Sequence, residues 1–478
     1  MPNKFDIIVI GAGAGGLNIA SFMNSLGLRV LLIDKSEERI GGDCLNYGCV
    51  PSKALIHVAR LFRAGREAVA FGAAPAGNAN LRTVKAHIKR AQGTIREHES
   101  AAYFREKGMT VVIGVASFVD PKTIRVSNQT YTAKRIIIAT GSRPRELLIP
   151  GVERVKEQGR YHTNETIFDL DVLPKHLLII GGGPIGVELG QAFGHLGSRV
   201  TIVTPENHLL PREDEKVSSI IEKTLREEGV DIRTNETVVR FEEGNQLVTT
   251  HNHSGSESTI AFDAVLIAIG RVLNTEGLQL QSARIQQDDK GRLVLNTQLQ
   301  TTNPRVFACG DIAGQHQFTH AAELHAGVIL RNFFKPLFKS RLNTDYLGAV
   351  TYTSPEVATF GLSPNELTKR GIAFAVLEDN FGHDDRALTS GGKPAYTKLC
   401  VTKKGKILGG TMIAEGAGEL VQELMLAQST GLTTKVFFAK NYPYPTATRI
   451  NKKLVTDQAR GRLTTNIKTV LRNLYRLW

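Results

Sequence analysis

Two short apolar runs, each leading straight into a cluster of glycines, set the rhythm of this chain. Phe5-Asp6-Ile7-Ile8-Val9-Ile10 reads as a buried strand, and Gly11-Ala12-Gly13-Ala14-Gly15-Gly16 follows at once. Apolar residues then recur at helical spacing from Leu17 to Leu26, and a second buried strand, Arg29 to Asp34, ends in a carboxylate. The same order returns at Leu177-Leu178-Ile179-Ile180, the run Gly181-Gly182-Gly183-Pro184-Ile185-Gly186, a helix to about Leu196 and a strand from Ser198 to Thr204. Between the two units the pattern predicts a small-residue loop at 73–80 and one helical stretch from Leu81 to about Lys107. Short alternating strands near 110–119 and 123–126 and a buried strand over 135–139 follow. Residues 232–260 read as polar β structure, Phe262 to Arg271 as a buried strand ending at Gly270, and the chain from about Asp345 as mixed α+β.

Strand, glycine turn, helix and a second strand ending in an acid together make a dinucleotide fingerprint. Gly11, Gly13 and Gly16 supply the turn and the close backbone approach, the helix start faces a pyrophosphate, and Asp34 suits ribose hydroxyls. Gly181, Gly183 and Gly186 repeat the motif with one departure. Asp34 stands 23 residues after Gly11, and the position 23 residues after Gly181 is Thr204. An acid there bonds the free 2′-hydroxyl of NAD and repels the 2′-phosphate of NADP. Thr204 removes the repulsion and offers a hydroxyl; Asn207, His208 and Arg212 are nearby donors, with Glu206 as a counterweight. The substitution favours NADPH over NADH.

The 478 residues suggest about three domains at ~150 residues each. With 41% hydrophobic and 22% charged residues, the chain has the composition of ordinary globular cores, and 46 glycines suit α/β folds with glycine-rich turns. No apolar run approaches a membrane span, and the first strand begins too early for a cleavable signal, so a cytoplasmic location is expected. The net charge of +13 comes with no zinc-finger spacing or RNP-like aromatic motif, which gives no ground for nucleic-acid binding. Part of that charge is concentrated: from Arg449 onward there are eight Lys/Arg against the single acid Asp457. In the tail Ile467, Val470, Leu471, Leu474 and Tyr475 fall at helical spacing beside Lys468, Arg472 and Arg476, with Trp478 last. Such a basic amphipathic helix suits weak contact with the inner face of a membrane, or packing on its own dimer.

The chemistry centres on Gly41-Gly42-Asp43-Cys44-Leu45-Asn46-Tyr47-Gly48-Cys49-Val50-Pro51-Ser52-Lys53. Two cysteines five positions apart precede a helix that Pro51 is placed to open, where the positive end of its dipole favours thiolate. A structural pair or half of a metal site would also explain two cysteines. Only Cys309 and Cys400 remain, each alone, so the ligands for a zinc site are lacking and no metal site is expected. In a reducing compartment a catalytic disulfide is the better reading.

This run closely resembles the active-site signature of the FAD-dependent pyridine nucleotide–disulfide oxidoreductases, a family that includes dihydrolipoyl dehydrogenase, glutathione reductase and mercuric reductase. The resemblance extends to Thr140-Gly141-Ser142-Arg143-Pro144, to Gly270-Arg271 with Asn274-Thr275, and to Cys309-Gly310-Asp311. It implies an α/β fold with two Rossmann-like domains, for FAD and NAD(P), and a C-terminal α+β dimerisation domain. The expected boundaries are 1–150 and 271–344 for the FAD domain, 151–270 for the NAD(P) domain and 345–478 for dimerisation. By resemblance, Cys49 lies next to the flavin as the charge-transfer thiol and Cys44 is the interchange thiol. Lys53 directs its charge towards the flavin, with Glu188 as its partner. Gly42, Asp43, Thr140, Gly141, Ser142 and Asp311 belong to the FAD site, and Gly270 and Arg271 lead back into it.

One departure is informative. The family's His-Pro-Thr-x-x-Glu-like segment carries the histidine that shuttles protons to the dithiol. Here Tyr442-Pro443-Tyr444-Pro445-Thr446-Ala447-Thr448-Arg449 places Tyr444 at the His and Arg449 at the Glu. A phenol with a pKa of ~10 is a poor proton shuttle at neutral pH. Mercuric reductases are similar in having tyrosine there, although this chain lacks their N-terminal cysteine module and C-terminal vicinal cysteines. The expected function is transfer of electrons from NAD(P)H through FAD and Cys44–Cys49 to a soft metal ion or small electrophile in a homodimer. The alternatives are a disulfide reductase such as dihydrolipoyl dehydrogenase, and a flavin/thiol redox sensor at a membrane surface.

Overall fold

The computed structural model describes residues 3–74, 77–314, 316–335, 337–382, 384–392, 394–461 and 464–477. Part of the loop expected at 73–80 and the terminal Trp478 lie outside these residues. The chain divides into two compact units, Met1–Arg212 with Leu225–Leu342, and Glu213–Thr224 with Asn343–Trp478.

The first unit opens with β1 (Lys4–Ile10), α1 (Ala14–Ser25) and β2 (Val30–Asp34), then α2 (Gly42–Asn46) and α3 (Cys49–Ala68). Helices α4 (Leu81–Arg96) and α5 (Ala101–Glu106) replace the single helix expected up to Lys107. The break has a local cause. The Ser100 side chain accepts from the Tyr103 N–H and starts a new helix, an arrangement that a continuous one cannot make. Strands β3 (Thr110–Ile113), β4 (Ala116–Asp120), β5 (Thr123–Val126) and β6 (Gln129–Ile138) complete the sheet in the order β3-β2-β1-β6-β5-β4. Its β3-β2-β1-β6 part is parallel, and β4-β5-β6 form an antiparallel meander. Ile7, Val9, Val30 and Leu32 pack on one face and Ile8, Ile10, Leu31 and Ile33 on the other. Burial on both faces is why these strands read as unbroken apolar runs.

After β7 (Ser142–Pro144), α6 (Val152–Glu157) and β8 (Tyr161–His162), the echo follows as β9 (His176–Ile180), α7 (Pro184–Leu196) and β10 (Arg199–Val203). Next come α8 (Glu215–Glu227), β11 (Asp231–Arg233), β12 (Glu236–Glu242), β13 (Gln246–His251), β14 (Glu257–Ala261) and β15 (Ala264–Ile267). The second sheet runs β11-β10-β9-β15-β8, all parallel, while β12-β13-β14 form a separate antiparallel sheet. The strand expected from Phe262 to Arg271 is shorter, because Gly270 turns the chain with a φ of +109° into β16 (Arg271–Leu273), which pairs with β7. The chain then returns: β17 (Val306–Ala308) joins the first sheet beside β6, and α9 (Thr319–Phe334) follows.

The second unit contains the sheet β18 (Gly348–Thr351), β19 (Glu356–Gly361), β20 (Ala375–Asp379), β21 (Tyr396–Val401) and β22 (Ile407–Ala414), ordered β18-β19-β22-β21-β20 and antiparallel throughout. Its helices are α10 (Pro364–Lys369), α11 (Asp385–Thr389), α12 (Ala417–Leu420), α13 (Gln422–Thr430), α14 (Lys435–Ala439), α15 (Arg449–Gly461) and α16 (Thr465–Leu477). Residues 213–224, expected with the second dinucleotide unit, group here instead. Their polar side chains explain it: Glu213 accepts from Thr359 Oγ1 at 2.7 Å, Asp214 pairs with Lys398, and Lys216 with Glu378 at 2.6 Å. Among the described residues no helix is long and apolar enough to cross a membrane.

Candidate active site

Cys44 lies inside the short helix α2, and Cys49 is the first residue of α3. The helix therefore starts two residues before Pro51, the position expected to open it. Proline is tolerated there because the first turn's N–H groups have no intrahelical acceptor. Cys44 and Cys49 are not bonded to each other, and a hydrogen bond links their sulfurs. The turn around them is braced by Asn46, which donates to Gly42 O at 2.8 Å, and by Gln92, which donates to Leu45 O and Asn46 O.

The two sulfurs differ electrically. Cys49 is pushed down to about 6, chiefly by the hydrogen bond from Cys44; burial opposes this, and Thr319 and the Lys53 charge add to it. Cys44 is pushed up by the same hydrogen bond and by burial, so it keeps its proton. Thr319, the first residue of α9, brings its Oγ1 to 3.4 Å from Cys49 Sγ. No sequence signal marks Thr319, which is 270 positions away from Cys49. Lys53 Nζ lies 2.6 Å from Glu188 Oε2, joining the cysteine helix to α7 of the second dinucleotide unit. Glu188 is 8% exposed, whereas Lys53 keeps a third of its side chain accessible.

A second polar cluster gathers residues from four distant segments. Arg271 Nε donates to Ser142 Oγ at 2.6 Å, and its guanidinium pairs with Asp43 at 3.1 Å and Asp311 at 3.7 Å. The Ser142 hydroxyl also bonds Asp311, whose carboxyl is pushed up by burial. Asn164 Nδ2 reaches Asp43 Oδ1 at 3.3 Å. Thr140 and Gly141 are tied to Asn274: its side chain donates to Thr140 O at 2.8 Å and its N–H to Gly141 O at 3.0 Å. Buried His325 accepts from the Gly310 N–H at 3.3 Å and is pushed down to about 4 by burial, so it stays neutral.

The glycines meet the demands of bound dinucleotides. A Cβ on Gly11 would lie 2.2 Å from Ala139 O, and one on Gly16 2.0 Å from Gly11 O; Gly181 and Gly186 repeat these approaches at 2.4 Å to Ala268 O and 2.1 Å to Gly181 O. Gly42 backs onto Gly13, where its Cβ would meet Gly13 Cα at 2.5 Å. Gly183 and Gly141, by contrast, face open space. Close packing behind and space in front suit a diphosphate at each helix start. Asp34 also braces its loop, accepting from the Ala12 N–H at 2.8 Å. These residues fit FAD in the first unit's leading motif and a nicotinamide dinucleotide in the second.

Thr204 differs from expectation. It is 2% exposed, with its methyl against Gly182 and its N–H on Arg233 O, so its side chain is buried rather than presented at the surface. A strand-end side chain packed under the loop contributes through the missing acid alone. Glu206 and Asn207 are exposed, and His208 is half-buried with Nδ1 on Leu209 O. Cys309 is fully packed and pushed up to about 12 by burial, which makes it inert, and Cys400 is buried in β21. His57, on α3, stacks on His87 at 5.9 Å. In the second unit Tyr444 is 64% exposed, its hydroxyl donates to Asp385 at 3.2 Å, and the Arg449 guanidinium lies 4.8 Å from its ring centre. The Asp385 contact raises the phenol's pKa further.

Residues 5–326 match the pyridine nucleotide-disulphide oxidoreductase family, and 347–454 match its dimerisation domain. The chain is 34% identical to dihydrolipoyl dehydrogenase of Mycoplasma genitalium, over 95% of this chain and 99% of that protein. It is 31% identical to mercuric reductase of Staphylococcus aureus, over 92% and 80%. The fold matches the Cu(II) complex of HOCl-induced flavoprotein disulfide reductase RclA from Escherichia coli with a TM-score of 0.82 and 26% identity, over 95% of this chain and 99% of that one. With two dinucleotide motifs, a dithiol whose sulfurs titrate apart and a dimerisation domain, the chain belongs to the pyridine nucleotide-disulphide oxidoreductases and is an NAD(P)H-dependent FAD oxidoreductase.

Proposed function

We propose that the Cys44–Cys49 dithiol delivers electrons from NADPH, in preference to NADH, to a soft metal ion or a small electrophile. Bound FAD would supply the relay between the nicotinamide and the disulfide, held by Asp34, Asp311 and the Gly11–Gly16 loop. On this reading Cys49 holds the negative charge, stabilised by Cys44, Thr319 and Lys53. Glu188 fixes Lys53 in place. Cys44, the protonated sulfur, is the one that meets the acceptor. With Cys49 ionised and Cys44 protonated, formation of the disulfide supplies two electrons and releases one proton; a hydride from NADPH restores the thiol–thiolate pair without a further proton.

The observation that carries the choice of acceptor is Tyr444. Dithiol–disulfide exchange needs a proton carrier, and a positioned acid–base group is typically worth ~10²–10⁴ in rate. Tyr444 is held as a phenol by Asp385, and Arg449 stands where a carboxylate would be needed to orient a histidine. Reduction of a metal ion on sulfur needs no proton on the acceptor. The relatives named for mercury reduction and the Cu(II) complex of RclA support this class. Disulfide reduction is the second reading, supported by the dihydrolipoyl dehydrogenase relatives. A cytoplasmic setting suits a pair that must be kept reduced.

The test is anaerobic turnover of the FAD-loaded enzyme with NADPH and NADH against Cu(II), Hg(II), lipoamide and oxidised glutathione. The expected result is NADPH consumption with the metal ions, lost in Cys44→Ser, and a lower kcat/KM with NADH. Vigorous lipoamide or glutathione turnover would reverse the order of the two readings. An NADH preference would assign the ribose contact to Glu206.

A further inference from the structure

Among the described residues, the last helix, α16, leaves almost all of its side chains exposed. Every residue from Thr465 to Leu477 is exposed except the half-buried Thr469. Ile467, Val470, Leu471, Leu474, Tyr475 and Leu477 are between 43% and 86% exposed. At ~100° per residue these six fall within an arc of about 160°, and Lys468, Arg472 and Arg476 form a stripe along one edge of it. Thr469, Asn466 and Asn473 fill the remaining sector, and the helix contains no acid. A 13-residue helix of this composition, with three Thr/Val residues and two Asn, is marginal by itself in water. Its apolar face must therefore be covered.

We infer that α16 lies on an anionic lipid bilayer, apolar face down, with Lys468, Arg472 and Arg476 reaching the headgroups. The charge decides between occupants. A second copy of α16 brings only cations to that flank, whereas anionic headgroups pair with all three. At ~1.5 Å per residue the helix is about 20 Å long, too short to span the ~30 Å hydrocarbon layer, so it sits in the interface. This contact is independent of which acceptor the dithiol serves.

The test is flotation of the full-length, FAD-loaded enzyme with phosphatidylcholine vesicles with or without one quarter phosphatidylglycerol. Two variants accompany it, Leu471→Glu/Leu474→Glu and Lys468→Gln/Arg472→Gln/Arg476→Gln. The wild type is expected to float with the anionic vesicles, at least 10-fold more than with neutral ones, and to be released by high salt. The glutamine variant should partition about 100-fold less, at roughly a fivefold loss for each of the three cations removed from an anionic surface. The glutamate variant should stay in solution. Both should keep FAD content and NADPH oxidation. Equal flotation of wild type and variants, or flotation of none, would overturn the inference. So would a variant that falls to half the native mass while the wild type ignores vesicles, since α16 would then cover a second copy.

Discussion

Cys49 is where a single group's chemistry can be followed from its neighbours. Its pKa of about 6, against an ordinary 9.0, follows from the Cys44 hydrogen bond first, with Thr319 and Lys53 behind it. A depressed pKa favours the folded, charged form above the ordinary value. That contribution is full above about pH 9 and is lost as pH falls to about 6. In the two-electron-reduced enzyme, long-wavelength absorbance from thiolate beside the flavin should persist at neutral pH and bleach on acidification through about 6. Thr319→Val removes one hydrogen bond to a charged sulfur, worth ~1.5–3 kcal/mol, and should raise the midpoint by roughly one to two pH units. An unchanged midpoint would show that Thr319 does not donate to the thiolate. The contact that Thr319 adds to Cys49 was invisible in the sequence, because it comes from a segment 270 positions from the Cys-x₄-Cys run.

At the scale of elements, the two glycine motifs were legible because their steric requirements are local. A glycine that turns at positive φ, and another whose Cβ would strike a backbone carbonyl, leave a fixed spacing in any sequence. Within the second motif the glycines have separable duties. Gly186→Ala would place a methyl 2.1 Å from Gly181 O and should destabilise the protein by about 2 kcal/mol or more. Gly183 has an ordinary φ of −78° and open space before it, so Gly183→Ala should leave Tm nearly unchanged. That methyl would instead occupy the space a pyrophosphate needs, raising KM for NADPH by about 10-fold or more. Calorimetry and steady-state kinetics on both variants check this; equal effects on Tm would erase the distinction. The missed break between α4 and α5 also has a local reason, since Ser100 reads as an ordinary helix residue until its side chain caps the next turn.

At the scale of the whole molecule, the match of residues 347–454 to a dimerisation domain supports a homodimer of the 52.2 kDa chain. By the resemblance drawn from Pro445-Thr446, that domain would deliver the proton carrier, and the positions it would present here are Tyr444 and Arg449. Restoring both positions, Tyr444→His with Arg449→Glu, should raise lipoamide or glutathione turnover by about 10²-fold or more over the native enzyme. Tyr444→His alone should do less, because Arg449 would disfavour an imidazolium. The measurement is kcat with each disulfide. Strong native activity, or no gain in the double variant, would mean that another group carries the proton.

The sequence by itself determined the strands buried on both faces, the two glycine motifs, the closely spaced cysteine pair and the absence of an acid at position 204. Each rests on residues within a few dozen positions, where periodicity, backbone conformation and spacing act directly. Only the tertiary structure decided what surrounds the sulfurs. It brings Thr319 to Cys49, Glu188 to Lys53 and Arg271 between Asp43 and Asp311. It also buries the Thr204 hydroxyl that the sequence seemed to offer. Charge stabilisation and desolvation depend on distances in space, and chain position carries no record of those until the sheet order β3-β2-β1-β6, extended by β17, has brought the segments together.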